Sequence, residues 1–400
     1  MERETLQHYQ KKYRQELLDS CIQFWLNNSV DKEHGGIYNS LTREGEVFAT
    51  DKSVWLQARC AWLFARLCNQ YGAQDSWRNL SRSCLDFLDA HAIDPSDKRM
   101  YFLLTEDGRA LRKRRYYFSE TFYIIALAEY AKAFGETAYL RKAREYYDFV
   151  LGMYRDPSSD PYKITPKMVP DVRNSRSFAN TMIMLNVSHV MADCDEEKRS
   201  RYLEIGDALA RDIMQYFMKD DLHALLETTG INGEFLRDVT GGRIMNPGHA
   251  LEGAWFLANQ GEKTGNATLI EKAAQIFSWG VERGWDEDHG GLYAFVDVLG
   301  RPPEALEHNM KLWWPMCELL ICAMLLYRLT GDEEYFEWFE RADRYCDQYL
   351  RDPEYGEWYG YLTYDNARAM DGLKGCLFKG PFHVPRALLM VDACLGELLG

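Results

Sequence analysis

The chain has 400 residues, 46% of them apolar and 14% aromatic, and a formal net charge of −14 at pH 7. A length of 400 favours several domains unless an internal repeat builds one large fold. The negative charge disfavours nucleic acid and anionic membranes as partners. The only basic cluster, residues 112–115, is interpreted as a solvated hairpin strand, so we expect neither nucleic-acid nor membrane binding.

The first residues are charged and lack the apolar core of a signal peptide, and the longest apolar run, residues 319–327, is too short to span a bilayer. The ten cysteines lie mostly in apolar helical stretches and form no C-x-x-C pair. We therefore expect a cytoplasmic protein whose cysteines are reduced core residues.

Helix signals recur along the chain at intervals of roughly 60 to 70 residues. Amphipathic outer helices are predicted at residues 3–28, 76–92, 138–155, 196–219, 267–284 and 333–350. They alternate with six more apolar inner helices, which are predicted to begin near Ser53, Ser119, Ser177, Asn246, Trp314 and His383.

Short aromatic segments with turn signals precede the inner helices, as in His34-Gly35-Gly36-Ile37-Tyr38 and His289-Gly290-Gly291-Leu292-Tyr293. They predict small β-hairpins in long loops. One repeat cannot cover its own apolar faces, so six must stack, and closing them into a ring leaves no exposed end. The predicted fold is all-α, an (α/α)6 barrel of residues 1–400 in one domain, with its pocket at the hairpin end.

Asn246-Pro247-Gly248-His249 predicts a capped helix start with His249 in the first turn, at the mouth of the barrel. Glu252 follows three residues later on the same helix face. This pair suits a histidine base with a carboxylate partner, although a capping histidine beside a surface glutamate explains it equally well.

Pro381-Phe382-His383-Val384-Pro385 places a second histidine at the start of the last inner helix. The helix between the two histidines begins with Trp313, Trp314 and Pro315 and carries Glu318 one turn in. We predict that these two tryptophans and Glu318 line a sugar-sized gap between His249 and His383, with core packing as the alternative for the tryptophans.

Trp55 and Arg59 lie on one stripe of the first inner helix, and a buried unpaired guanidinium is costly. Arg59 must therefore meet an acid or a ligand oxygen. Tyr116 offers a ring and a hydroxyl at the second inner helix, and Asn180 borders the third. We count Trp55, Tyr116 and Asn180 as candidate substrate-binding residues.

Metal chemistry has little support, because the nine histidines are widely spaced and form neither an H-x-H nor an H-x-x-x-H pair. Phosphate-binding and dinucleotide-binding glycine motifs are absent as well. The sequence predicts no metal site and no redox cofactor.

Five motifs in this order resemble the N-acylglucosamine 2-epimerase family, and the resemblance covers nearly the whole chain. They are residues 24–36, Val54-Trp55-Leu56-Gln57-Ala58-Arg59, Asn246-Pro247-Gly248-His249-x-x-Glu252, Trp313-Trp314-Pro315 and Pro381-Phe382-His383-Val384-Pro385. The family also includes cellobiose 2-epimerases and aldose–ketose isomerases on the (α/α)6 barrel, and the N-terminal motifs are most similar to the N-acetylglucosamine branch.

The resemblance implies that His249 and His383 are the acid/base pair, that Arg59 holds the enediolate oxygen and that Glu252 orients His249. It also implies a homodimer and an activity that needs no cofactor, with ATP as an activator that is not consumed. The role of Asn180 stays open. The expected reaction interconverts N-acetylglucosamine and N-acetylmannosamine by removing the C2 proton and returning it to the opposite face.

Three alternatives remain at this stage. The first is a sister activity, a cellobiose 2-epimerase or a mannose-type aldose–ketose isomerase. The second is an inverting glycoside hydrolase with Glu252 and Glu318 as the carboxylate pair. The third is a non-catalytic sugar- or protein-binding barrel.

Overall fold

A computed structural model describes residues 2–114, 116–162, 169 and 171–400. The six predicted inner helices are present, and each begins within one residue of its predicted start: α3 Val54–Tyr71, α5 Phe118–Phe134, α7 Phe178–Cys194, α9 Pro247–Thr264, α11 Trp313–Thr330 and α13 His383–Leu399. The outer helices are α1 Arg3–Gln15 with α2 Ile22–Asn28, α4 Asp75–His91, α6 Thr137–Arg155, α8 Arg199–Asp212, α10 Ala267–Gly284 and α12 Glu333–Tyr345. Three outer helices contain a π-helical turn, at Glu16–Cys21, Ile213–Phe217 and Cys346–Leu350.

Inner and outer helices differ in burial as their composition predicts. Residues 119–131 of α5 are all buried, whereas α6 buries a single stripe that includes Tyr147 and Val150. Each inner helix packs against the outer helix that follows it in the chain, and α13 packs against α1. The first outer helix and the last inner helix thus form the sixth pair, which closes the (α/α)6 barrel.

Short antiparallel strands gather at the end where the inner helices begin. The strand before an inner helix pairs with a strand of the next repeat's hairpin, so neighbouring loops are joined around the mouth. The paired strands are Ser40–Leu41 with Val47–Ala49, Lys52–Ser53 with Leu103–Leu104, Leu103–Leu104 with Ala110–Arg112, Ser175–Ser177 with Thr228–Gly230, Met218–Lys219 with Ala224–Leu225, Ile244–Met245 with Val296–Asp297, and Lys311–Leu312 with Tyr361–Leu362.

Buried Lys–Asp pairs hold these loops in place, and the same device recurs around the ring. Lys52 Nζ donates to Asp31 at 2.6 Å, and Lys311 Nζ donates to Asp286 at 2.7 Å. Burial alone would raise the pKa of Asp286, but the hydrogen bonds from Lys311 and from two backbone N–H groups lower it to about 2. Because both charges of each pair are buried, removal of either residue would leave the other charge buried and unpaired.

The predicted basic hairpin strand is present in part, since Ala110–Arg112 is a strand and Lys113 bonds Asp94 and Asp97, while Arg115 lies outside the described residues. All ten cysteines are free, and eight of them are buried. Within the described part of the chain, no helix is both long enough and apolar enough to cross a membrane.

Candidate active site

His249 lies in the first turn of α9, at the mouth of the barrel. The Asn246 side chain caps the helix by accepting the His249 backbone N–H at 3.1 Å, and Pro247 occupies the first helical position. His249 Nδ1 lies 3.0 Å from Oε1 of Glu227, a residue between two short strands of the preceding loop. Burial opposes the imidazolium, but Glu227 outweighs it and raises the pKa of His249 to about 9.

His383 is the first residue of α13, and its Nδ1 lies 2.9 Å from Oε1 of Glu318 on α11. Burial lowers the pKa of His383 well below its ordinary value, and the charges of Arg386 and Arg59 lower it further. The same Nδ1 is 3.2 Å from Nη2 of Arg386, so Glu318 is the nearer of its two partners. In the tautomer in which Glu318 accepts the Nδ1 proton, the neutral ring carries its lone pair on Nε2. The two pKa shifts therefore run in opposite directions, which favours a protonated His249 and a neutral His383 near neutral pH.

Arg386 lies one turn beyond His383 and joins the acidic groups of the site. Its Nη2 donates to Oε1 of Glu252 at 2.9 Å and to Oε1 of Glu318 at 2.5 Å. Trp255 Nε1 donates to the other Glu318 oxygen at 2.9 Å. Potential ligand atoms of Glu252, Glu318 and His383 lie within 4.8 Å of one another, but a metal ion there would have to displace the guanidinium from both carboxylates.

Trp314 lies between the two histidines. Its ring centroid is 5.1 Å from that of His249 and 5.9 Å from that of His383. A Cβ at Gly248 would fall 2.5 Å from Trp314 Cζ3, so only glycine lets α9 approach this indole so closely. Trp313 is buried behind the site, edge-on to His383 at 6.3 Å, and it therefore belongs to the wall.

Arg59 points into an aromatic enclosure. Its guanidinium carbon is 4.0 Å from the centroid of Phe122 and 4.5 Å from that of Phe382. Burial, and next the charge of Arg386, lower the pKa of Arg59 to about 9. Among the described residues its Nε has no hydrogen-bond partner, which leaves this cation available for a ligand oxygen.

The remaining predicted residues lie at the rim. Trp55 donates from Nε1 to Ser119 at 3.0 Å and packs on Phe122 beside Arg59. Tyr116 stacks on Phe118 with the ring centroids 5.6 Å apart, and Phe118 in turn contacts Trp55. Asn180 is in the first turn of α7, and its buried Oδ1 has no partner among the described residues.

The predicted hydrogen-bond partner of His249 is wrong. Glu252 does not hydrogen-bond His249; Glu227 does, while Glu252 accepts from Arg386 and acts on His249 only through its charge. Sequence reasoning missed Glu227 because it lies 22 residues before His249 in a loop without a distinctive motif. It also missed Arg386, although the spacing His383-x-x-Arg386 places a cation on the same helix face, as His249-x-x-Glu252 does for a carboxylate.

The family model for N-acylglucosamine 2-epimerase (GlcNAc 2-epimerase) matches residues 35–377. The N-acylglucosamine 2-epimerase of Rattus norvegicus is 38% identical over 405 residues, covering 100% of this chain and 94% of that protein. The Homo sapiens protein of the same name is 37% identical, covering 100% and 92%. The chain belongs to the N-acylglucosamine 2-epimerase family. It is an isomerase of the epimerase class.

Solved structures of other proteins independently support the barrel fold of this chain. The cellobiose 2-epimerase from Spirochaeta thermophila superposes with a TM-score of 0.84 at 20% identity, covering 99% of this chain and 98% of that one. A D-mannose isomerase superposes with a TM-score of 0.80 at 19% identity, covering 97% of each chain. Identities this low establish the fold alone.

Proposed function

We propose that the protein interconverts N-acetylglucosamine and N-acetylmannosamine by inverting C2 of the open-chain sugar. The observation that carries the proposal is the pair of histidines on either side of Trp314, one with a raised pKa and one with a lowered pKa. Inversion needs a base on one face of C2 and an acid on the other. The names of the relatives with 37–38% identity supply the sugar.

In the proposed mechanism the ring opens first, and the C1 carbonyl then acidifies the C2 proton. Neutral His383 removes this proton through Nε2, the nitrogen that its bond to Glu318 leaves free. Protonated His249 delivers a proton from Nε2 to the opposite face, while Glu227 holds Nδ1. The reverse reaction exchanges the two roles.

Arg59 is the proposed partner of the oxyanion that develops as the C2 proton leaves. Its guanidinium is surrounded by Phe122 and Phe382, so water screens its charge weakly. The enolate oxygen on C1 receives a charged hydrogen bond that is stronger than the one to the neutral carbonyl oxygen, and this difference lowers the barrier. In this mechanism the two histidines carry out both proton transfers and Arg59 stabilises the oxyanion. We therefore propose that no metal or redox cofactor takes part.

The test is to incubate the protein with N-acetylmannosamine in D₂O and to follow products and C2 deuterium by NMR. The wild type is expected to form N-acetylglucosamine with deuterium at C2. His249→Asn and His383→Asn should each lose epimerisation, while each still exchanges the C2 hydrogen of the one epimer that faces its remaining histidine. His8→Asn, on the exposed surface of α1, is the matched control.

Absence of exchange and of product in the wild type would overturn the proposal. Loss of exchange with both epimers in both variants, with folding intact, would overturn the two-base assignment. Running cellobiose and mannose beside N-acetylmannosamine places the activity among the sister epimerases and isomerases. An inverting hydrolase is disfavoured because one nitrogen of Arg386 bonds both candidate carboxylates, leaving no gap of about 6.5 to 9.5 Å between them.

Activation by ATP, a homodimer and a cytoplasmic location are also proposals, and they rest on the family resemblance. The NMR assay with and without ATP tests activation, with an increase in rate and no ATP hydrolysis expected. Light scattering on the purified protein tests the dimer, for which a monomer mass is the contrary result. Localisation of the tagged protein in the cells that normally produce it tests the cytoplasmic location.

A further inference from the structure

The segment that leads into α13 is held differently from those that lead into most other inner helices. A paired strand ends at most one residue before α3, α7, α9 and α11. Residues 373–382, all of which the structure describes, contain no strand and lead directly to His383. Lys379 lies in this segment, four residues before His383, and is 1% exposed. It is the charged residue of the segment that is nearest to His383 in the chain.

Lys379 is anchored to the outer wall of the barrel through Glu357. Its Nζ donates to Glu357 Oε1 at 2.8 Å and to the carbonyl oxygen of Lys374 at 2.8 Å. The other oxygen of Glu357 accepts from Trp25 Nε1 on α2 at 2.9 Å and from Cys21 Sγ in the preceding π-helical turn at 2.6 Å. Both partners of this second oxygen are buried, so the carboxylate connects the segment before α13 to the first outer helices.

The three residues between Lys379 and His383 have little freedom to move. A Cβ at Gly380 would fall 2.8 Å from Leu56 Cδ2, so the backbone lies close against α3. Pro381 has a fixed φ, and the Phe382 backbone N–H donates to the Gly380 carbonyl at 2.8 Å in a tight turn. Phe382 itself is 2% exposed. A displacement of Lys379 should therefore be transmitted to His383, because close-packed interiors transmit strain.

Trp313 gives a second line of contact between Lys379 and His383. Lys379 Nζ lies 5.8 Å from the centroid of the Trp313 ring, and this ring is edge-on to His383 at 6.3 Å. His383 needs an accurate position because its Nδ1 lies 2.9 Å from Glu318 Oε1. A shift of about 1 Å would break that hydrogen bond.

We propose that Lys379 and Glu357 are positioning residues, whose buried ion pair holds the start of α13 so that His383 keeps its bond to Glu318. This inference rests on the proposed two-histidine epimerisation. The pair acts through residues 380–382 and through Trp313. His249 has its own support, because Asn246 caps α9. Loss of the ion pair should therefore impair proton transfer by His383 and spare proton transfer by His249.

The test measures exchange of the C2 hydrogen in two one-base variants, His249→Asn and His383→Asn, each of which keeps one of the two bases. Lys379→Met is added to each variant. Where His383 is the remaining base, kcat for exchange should fall about 10- to 100-fold with a much smaller change in KM, because a misplacement of about 1 Å costs that much. Where His249 is the remaining base, exchange should be unchanged.

Lys52→Met is the matched control, because Lys52 is another buried lysine with a carboxylate partner, Asp31 at 2.6 Å. It lies before α3, which carries neither histidine, so it should lower the melting temperature and affect exchange equally in both one-base variants. Lys379→Met with Glu357→Gln leaves no unpaired buried charge. This double change should recover most of the melting temperature but keep the selective loss of exchange, because the link is still missing.

Equal losses of exchange in both one-base variants, or no loss in either, would overturn the inference. Recovery of exchange together with the melting temperature in the double change would also overturn it, since the ion pair would then only stabilise the fold. Circular dichroism checks each protein, and the double change keeps the test decisive if Lys379→Met alone does not fold. Absence of exchange in the wild type is a different result, which overturns the proposed function itself and this inference with it.

Discussion

His249 and His383 carry the same side chain, yet their neighbours shift their pKa values in opposite directions. Glu227 raises the pKa of His249 to about 9, while burial with Arg386 and Arg59 nearby lowers that of His383. Near neutral pH the pair therefore holds one proton, on His249. In the proposed mechanism, turnover that begins with deprotonation by His383 needs this state, and turnover in the reverse direction needs the proton on His383.

Glu227→Gln tests the origin of the raised pKa. The free-enzyme profile of kcat/KM should have an alkaline limb near pH 9, because His249 loses its proton there. Removing the carboxylate charge lowers the pKa of His249, so the limb should move down by at least one pH unit. Glu204→Gln, on the exposed face of α8, is the control. An unchanged limb would assign it to another group.

Arg59→Gln tests the proposed oxyanion partner. The substitution should lower kcat by roughly 10² to 10³-fold, with a much smaller change in KM, because the enolate needs the charge more than the substrate does. The melting temperature should hold or rise, since the lost cation has no hydrogen-bond partner at Nε. A change in KM alone would show that Arg59 only binds the ground-state sugar.

At the scale of single elements, the starts of the inner helices position the chemistry. Asn246 and Pro247 begin α9 so that His249 lies in its first turn, and His383 is the first residue of α13. Strand pairing joins the hairpin loops that precede neighbouring inner helices. Substitutions at the helix starts should therefore change activity, whereas substitutions in the hairpin loops should change stability.

Gly248→Ala alters the approach of α9 to Trp314. The new Cβ would fall 2.5 Å from Trp314 Cζ3, and displacement of this indole by even about 1 Å should cost on the order of 10²-fold in kcat/KM. Gly152→Ala is the control, because its Cβ meets nothing within 4 Å on the outer helix α6, where alanine stabilises a helix interior. Equal activity in both variants would contradict this role of Gly248.

Asp286→Ala tests the buried pair of the fifth hairpin loop. It leaves Lys311 buried without its partner and should lower the free energy of unfolding by about 3 to 5 kcal/mol. The double variant with Lys311→Met should recover most of that loss. In the wild type the pKa of Asp286 is depressed to about 2, so its contribution is complete above about pH 4 and is lost as pH falls towards 2. Urea unfolding at several pH values measures both effects.

At the scale of the whole molecule, the ring depends on joining the two ends of the chain. Asp392 on α13 is 1% exposed and accepts from Arg14 on α1 and from Tyr71 at the end of α3. Arg351 likewise bonds Glu16, in the π-helical turn after α1. One-domain folding of residues 1–400 stays a prediction that a single cooperative unfolding transition would support.

Asp392→Leu should weaken this closure. We expect a fall of about 2 to 3 kcal/mol in the free energy of unfolding, because the hydroxyl of Tyr71 and the charge of Arg14 both lose their acceptor. Arg14→Leu should cost less than about 1 kcal/mol, since the Arg14 side chain is 49% exposed. Chemical denaturation compares the two. Equal losses would mean that the ion pair, and not the buried carboxylate, closes the ring.

The sequence by itself determined the barrel, the helix starts and the residue types at the mouth. Helical periodicity, the repeat interval, and the cap before His249 are local signals, and every predicted inner helix begins within one residue of its predicted start. His249, His383, Trp314 and Arg59 could be placed at one end because helix starts in such a barrel share that end.

Only the tertiary structure decided which groups touch. Glu227 contacts His249 from a loop. Arg386 on α13 bonds both Glu252 on α9 and Glu318 on α11. These contacts set the charge of each histidine through burial and neighbouring charge, and both depend on distances between residues far apart in the chain, which local sequence patterns do not encode.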